Sequence, residues 1–199
     1  MTSSTSRAPS VIVVTGPSGA GKGTLIREVL ERVPGIGATV SATTRDRRPG
    51  ELDGKEYYFL STEDFLTRIE RGDLLEYVTY VSGHRYGTLR SELDRIRSEG
   101  KVPLLELETE GALRVKGEVP GAVTIFISAS VEELERRLRE RATESTGEIG
   151  ERIALARHQL EQADEFDYTV ENDELDRAVE ELTRLARGLL APAGTMSRP

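Results

Sequence analysis

The chain has 199 residues, 27 Lys and Arg against 35 Asp and Glu, a formal net charge of −8 and no Cys. That length supplies one domain with its own core, the missing Cys removes disulfides, thiolate catalysis and thiolate zinc sites, and the acidic balance speaks against a broad nucleic-acid surface. The two histidines, His84 and His158, lie far apart, which argues against a histidine metal centre or a Ser-His-Asp triad. Residues 1–10 are Ser/Thr-rich without an apolar stretch and, with 191–199, are expected to be disordered ends. Apolar runs of about four residues are far too short for a membrane helix, so a cytoplasmic protein is expected. Val11–Val14 are β-branched and predict a buried strand. Leu25, Ile26, Val29, Leu30 and Val33 recur at helical spacing and predict a helix over Leu25–Arg32, closed by Pro34-Gly35.

Further along, Thr39–Thr44 suggests a short strand, Arg45–Gly50 a polar loop and Tyr57–Leu60 a strand. Ser61-Thr62-Glu63-Asp64 has the form of a capping box opening a helix to about Arg71, stopped by Gly72. Leu74–Val81 reads as a strand, His84–Thr88 as a glycine-flanked turn and Ser91–Glu99 as a helix. Val102–Leu107 and Val123–Ile127 predict buried strands, and Val131–Arg141 a charged helix followed by a polar tip at 142–148. Ile149, Ile153, Ala156, Leu160 and Ala163 share one helical face, Tyr168–Val170 is a last short strand and Leu175–Leu190 a closing helix. Alternating strands and helices predict an α/β domain with a parallel sheet flanked by helices. Its core is expected at 11–38, 96–130 and 166–190, interrupted by a mixed α/β insert at 39–95 and a helical, arginine-rich insert at 131–165.

The stretch Gly16-Pro17-Ser18-Gly19-Ala20-Gly21-Lys22-Gly23-Thr24 sits between the first strand and the first helix. Glycines let successive backbone N–H groups converge on an anion, and the helix N-terminus adds its dipole. Lys22 can reach the outer phosphates of a nucleoside triphosphate. The strict pattern puts Ser or Thr directly after the lysine; here Gly23 intervenes and the hydroxyl comes at Thr24. In the first insert, Arg45 and Arg48 lie three apart beside Gly50, a spacing that suits a forked grip on a monophosphate, with Tyr57 and Tyr86 as phenolic donors. An exposed loop of solvated arginines would look the same. Glu76 is a carboxylate in an apolar strand and needs donors if buried; guanine offers N1–H and its N2 amino group, whereas adenine presents an acceptor at N1. Its head reaching solvent is the ordinary alternative.

Ser41-Ala42-Thr43-Thr44-Arg45, Arg48-Pro49-Gly50-Glu51, Gly54, Tyr57-Tyr58-Phe59, Leu75-Glu76, Tyr86-Gly87-Thr88, Gly111-Ala112 and Val170-Glu171-Asn172-Asp173 resemble, in order, the signature of guanylate kinases. The resemblance implies transfer of the ATP γ-phosphoryl group to GMP, giving ADP and GDP, with Mg²⁺ as cofactor. It implies guanine contacts from Ser41, Glu76, Thr88 and Glu108, and GMP-phosphate contacts from Arg45, Arg48, Tyr57 and Tyr86. Arg137, Arg141 and Arg152 would close over the ATP phosphates from a lid at 131–165, Asn172 would lie near the adenine, and Thr24 and Glu106 would serve the metal. Arg137 and Arg141, four apart, fall on one helical face; surface ion pairing with Glu133, Glu140 or Glu144 is their bland alternative. The chain departs from the family with Glu106-Leu107-Glu108 where Asp-x-Asp is usual, His84 where Asn is usual, an added residue between Glu76 and Tyr86, and Ala142 for Gly. Expected partners are the small-molecule nucleotides ATP and GMP, with neither nucleic acid nor membrane, in a monomer or homo-oligomer. Two other readings are a phosphopeptide-binding module of guanylate-kinase-like shape and a kinase for a phosphorylated sugar; the intact loop with Lys22 opposes the first, and Ser41 with Glu76 the second.

Overall fold

The computed structural model describes residues 8–80, 82–140 and 146–191. A five-stranded parallel sheet forms its centre, in the order β2 (Ile36–Ala38), β7 (Val102–Glu106), β1 (Val11–Thr15), β8 (Ala122–Ser128) and β9 (Tyr168–Glu171). Side chains alternate across a strand, and β1 is apolar on both faces. Ile12 and Val14 pack with Leu25, Ile26 and Val29 of α1 (Lys22–Arg32) and with Val179 and Leu182 of α7 (Leu175–Leu190). Val11 and Val13 pack on the other face with Leu105, Phe126, Phe166 and with Ala112 and Val115 of α4 (Thr109–Glu118). A strand covered on both sides is the expected environment of a parallel sheet.

A second sheet, β4 (Tyr58–Phe59), β3 (Ser41–Thr43), β6 (Arg85–Leu89) and β5 (Leu74–Thr79), in that order, is built from the first insert. It has a small core of its own, where Phe65 of α2 (Thr62–Glu70) packs with Ala42, Leu74 and Leu89. Ser61 accepts a hydrogen bond from the Asp64 N–H at 3.0 Å, so the capping box is formed as the sequence suggests. From β6 the chain passes directly into α3 (Arg90–Ser98) and so back to β7. The second insert supplies α5 (Val131–Glu140) and α6 (Thr146–Glu161), followed by a single 3₁₀ turn at Ala163–Glu165.

Three elements differ from expectation. Pro34-Gly35 ends α1 but does not begin a loop: Ile36–Ala38 pairs with β7 at the sheet edge. The segment after β7 forms α4, whose pattern is obscured by Gly111 and Gly117. His84–Thr88 is not a turn. Residues 85–89 form β6, held between β3 and β5, so Tyr86 is a central-strand residue. The glycine at 87 is there for packing: a Cβ would crowd the Glu76 carbonyl and the Tyr77 side chain.

Candidate active site

The loop between β1 and α1 is shaped by contacts that glycine alone permits. Gly16 has φ +139°, and a Cβ there would run into the Ile127 carbonyl of β8. Gly21 has φ +83° and would meet the Asn172 amide. The loop's carbonyls are occupied: Gly16 and Pro17 accept from the Lys22 ammonium at 2.7 and 3.2 Å, and Ala20 accepts from Asn172 Nδ2 at 2.7 Å. No side chain caps the N-terminus of α1 and no acidic residue stands in its first turn. Its positive end is therefore left for an external anion.

Two of the arginines described on the second insert, Arg137 and Arg152, reach this loop. Arg137 of α5 donates to the Asn172 carbonyl at 2.8 Å and to the Gly19 carbonyl at 3.5 Å. It also pairs with Glu133 at 2.6 Å, so the ion pair expected on the helix surface is present together with the loop contact. Arg152 of α6 donates to Ser18 Oγ at 2.8 Å. Arg141 lies outside the described residues. Asn172 is buried at the end of β9, with its Oδ1 making no hydrogen bond; its amide holds the loop from below.

Glu106 and Lys22 form the floor beside the loop. Glu106 ends β7 next to β1, and its Oε2 would lie 3.9 Å from a Cβ on Gly23, directly over the first turn of α1. Glu106 is exposed, yet the surrounding cleft desolvates it enough to raise its pKa; Lys22 opposes that rise and Glu108 adds to it. Burial lowers the Lys22 pKa, with Glu106 and Glu108 pulling it back. Thr24 follows Gly23 in the same turn and is half-buried.

Across the cleft, the insert sheet sets three polar side chains in one row. Ser41 of β3 pairs with Thr88 of β6, and Thr88 pairs with Glu76 of β5. Directly opposed residues of antiparallel strands share a face. A register shift between Leu74 and Glu76 brings this about, because Leu74 pairs with Leu89 and Glu76, rather than Leu75, then meets Thr88. Glu76 is 7% exposed and accepts from Thr88 Oγ1 at 2.8 Å. Its Oε2 lies beside Gly111 of α4, 3.4 Å from where a Cβ would stand. Burial raises its pKa, against the hydrogen bonds from Thr88.

Tyr86, two residues before Thr88, shares that face and meets Tyr57 edge-on at 5.8 Å. Arg45 lies over the Tyr57 ring at 5.5 Å and the Phe59 ring at 5.7 Å and pairs with Glu51 at 2.7 Å. Glu51 accepts again from the Arg48 N–H at 2.7 Å, which ties the backbone at Arg48 to the residue that holds Arg45. The Arg45 bond holds Glu51 below the usual carboxylate range. The Arg48 side chain is exposed.

A family model described as guanylate kinase matches residues 8–188. The chain belongs to the guanylate kinase family. It is 47% identical over 176 residues to the guanylate kinase of Synechococcus sp. (strain JA-3-3Ab), covering 88% of this chain and 81% of that protein. Against the guanylate kinase of Rubrobacter xylanophilus the identity is 46% over 186 residues, 93% and 97% of the two chains. The crystal structure of guanylate kinase from Anaplasma phagocytophilum superposes with a TM-score of 0.70 at 28% identity, covering 95% of this chain and 89% of that one. The chain is thus an enzyme of the guanylate kinase type, with the family's activity of ATP-dependent phosphoryl transfer to GMP. No helix among the described residues is long and apolar enough to cross a membrane.

As a guanylate kinase the molecule has features that its sequence did not announce. Tyr80 spans the cleft, donating to Glu108 Oε1 at 3.2 Å while its ring lies 5.2 Å from that of Tyr86. Burial and the nearby Glu108 carboxylate push its pKa up to about 12. Glu108 stands at the N-cap of α4 without capping it, so its carboxylate is directed into the cleft by Tyr80 rather than by the helix. Glu51 and Glu92 also emerge only from the fold. His84 immediately precedes β6, its carbonyl accepting from the Tyr80 N–H at 2.9 Å, and the His158 side chain is 70% exposed on α6.

Proposed function

We propose that the Gly16–Thr24 loop holds the ATP triphosphate, that the 39–95 insert binds GMP, and that the 131–165 insert is the lid closing over the donor. Arg45, Arg48, Tyr57 and Tyr86 would hold the GMP phosphate, and Ser41, Thr88 and Glu76 would read the guanine, with Glu108 approaching it from the core side. The observation that carries this reading is the Ser41–Thr88–Glu76 row. A buried carboxylate with one oxygen held by Thr88 and the other beside Gly111 is matched to two parallel donors, which guanine has and adenine lacks.

The reaction then needs little covalent participation by the protein. An oxygen of the GMP phosphate attacks the γ-phosphorus in line, the bond to the ADP oxygen breaks, and the acceptor is already ionised, so no general base is required. The chain's contribution is alignment and charge. Lys22 and the lid residues Arg137, Arg141 and Arg152 would surround the transferring group, and closure would exclude the water that would otherwise hydrolyse ATP. Asn172 would serve the donor side by fixing the loop beneath the nucleotide.

The donor set suits Mg²⁺. Glu106 offers a hard carboxylate oxygen over the first turn of α1, next to Thr24, and a magnesium ion takes one or two protein oxygens with waters and substrate phosphates making up the rest. Bound there, it would neutralise charge on the β- and γ-phosphates. Glutamate at 106 and 108 reaches one methylene further than aspartate, which suits Glu106 to a contact across Gly23. The test is a coupled ADP-release assay with GMP, AMP, UMP and a phosphosugar as acceptors. GMP should be used at least about a hundredfold better than AMP; equal rates with both would overturn the reading.

A further inference from the structure

Glu92 is a glutamate on α3 that is only 2% exposed and belongs to none of the groups above. Its carboxylate is saturated. Oε1 accepts from the Tyr58 hydroxyl at 2.8 Å and Arg95 Nε at 2.8 Å, and Oε2 accepts from the Val40 N–H at 2.8 Å and Arg95 Nη2 at 2.9 Å. Burial alone would raise its pKa; Arg95, Val40 and Tyr58 together hold it below the usual carboxylate range. A buried carboxylate is costly unless every lone pair is used, and here the donors come from three separate segments.

One of them, Val40, is where the chain crosses from the central sheet into the insert, Tyr58 is on the insert's edge strand, and Arg95 is on α3 itself. The Thr39 N–H still bonds the Leu104 carbonyl of β7 at 3.0 Å, the Val40 N–H bonds Glu92, and Ser41 opens the insert sheet. The backbone thus leaves one sheet and joins the other within three consecutive residues. The return crossing is Leu89–Arg90, from β6 straight into α3. α3 itself is fastened to the core through Leu93, which packs with Val11, Val13 and Leu105, and through Ile96, which lies against Gly37 of β2. Glu92 therefore stands on a core-bound helix and grips the insert at its entry, Val40, and at its edge strand, Tyr58. The residues adjoining those two anchors are Ser41 and Tyr57.

We infer that Glu92 is the pin of a hinge at Thr39–Ser41, a positioning residue that holds the insert at the angle at which Ser41 and Tyr57 meet GMP. This rests on the assignment of the insert to GMP. Glu92 touches no substrate; it acts through the two strands it joins. Removing it leaves the base-reading row intact within the insert but frees the insert to tilt about residues 39–41.

The experiment compares wild type, Glu92→Ala, Glu92→Gln and Tyr58→Phe by steady-state kinetics and by amide hydrogen exchange of the substrate-free protein. Glu92→Ala should raise the KM for GMP about fivefold or more while the KM for ATP stays within about twofold. Glu92→Gln, which keeps one acceptor for the Val40 N–H, should recover part of that loss. Tyr58→Phe, which removes only the contact to the insert's edge strand and is the milder change should Glu92→Ala fail to fold, should raise the GMP KM alone. Exchange should quicken at Val40–Thr43 in Glu92→Ala and stay unchanged in α1. A purely structural role would move both KM values together with stability, and that result, or a GMP KM unchanged in all three variants, would overturn the inference. A wild type that GMP does not saturate would instead overturn the site assignment and the GMP part of the inference; the exchange data then judge the pin alone, quickened exchange at Val40–Thr43 supporting it and unchanged exchange removing it.

Discussion

In the proposed assignment single residues divide between two substrates on opposite walls of one cleft, and that division can be tested one side chain at a time. Lys22 donates to the carbonyls of its own loop, half-buried and within the field of Glu106 and Glu108. Arg45 lies across the cleft, stacked on Tyr57 and Phe59 and tied to Glu51. Lys22→Ala should lower kcat by about a thousandfold or more, because the charge it supplies is needed as the phosphoryl group moves. Its GMP affinity by calorimetry should stay within about twofold of wild type. Arg45→Ala should do the reverse, raising the KM for GMP by about 10- to 150-fold through loss of a charged phosphate contact, with the KM for ATP unchanged. A Lys22 variant that loses GMP binding to the same degree as turnover would show that the two walls are not separate sites. Arg45 was recognisable in the sequence as a candidate through its spacing from Arg48 and the family resemblance together, since an exposed loop of solvated arginines would show the same spacing. Glu51 was not, since its bonds to Arg45 and to the Arg48 N–H exist only once the loop has turned back on itself.

At the level of elements, the Gly16–Thr24 loop is not self-supporting. β1 and α1 give it direction, but its carbonyls are held by partners from far along the chain: Asn172 at the end of β9 and Arg137 on α5. Asn172→Ala should leave the Ala20 carbonyl without its donor in a buried setting and so cost about 1–3 kcal/mol in stability. It should also raise the KM for ATP and leave that for GMP alone, which steady-state kinetics with each nucleotide varied in turn will show. An equal rise in both KM values would mean that Asn172 supports the whole fold rather than the loop. The elements legible in the sequence include β1, β7 and β8 as apolar runs, α1 and α6 through helical spacing, α2 through its capping box, and α3, α5 and α7. Those not legible there are short or interrupted. β2 is three residues at a sheet edge, and α4 carries two glycines. β6 is a five-residue strand whose Arg-Tyr-Gly-Thr composition reads as a turn until β3 and β5 close on either side. The register shift that turns Glu76 toward Thr88 has no signature in the residues concerned, because Leu-Leu-Glu would satisfy a regular strand equally well.

For the molecule as a whole, Asp167, which serves the fold, and Glu76, which is proposed to read the guanine, have opposite dependences on pH. Asp167 accepts from the Thr124 N–H at 2.8 Å and pairs with Lys116 at 2.8 Å, and these contacts outweigh burial and lower its pKa. Such a group stabilises the fold above its unfolded pKa, and that contribution disappears as pH falls through the lower, folded value. Glu76 is the opposite case. Burial raises its folded pKa, so its ionised form weakens the fold at neutral pH; the favourable part is present below the unfolded pKa of about 4.3 and is lost as pH rises through the folded value. Glutamine resembles the protonated acid and removes the penalty. Glu76→Gln should therefore be more stable than wild type at pH 7.5 by urea denaturation, with an advantage that shrinks steadily as the comparison is moved toward pH 4. In the same variant kcat/KM for GMP should fall about 10- to 150-fold, because one of two charged acceptors for the guanine edge is gone. A gain in stability coupled to a loss of activity is what a carboxylate retained for recognition produces. If Glu76→Gln were instead destabilised at pH 7.5 by the same amount as at pH 4, the carboxylate would be a structural one, and the basis for guanine selectivity would have to be sought at Ser41 and Glu108.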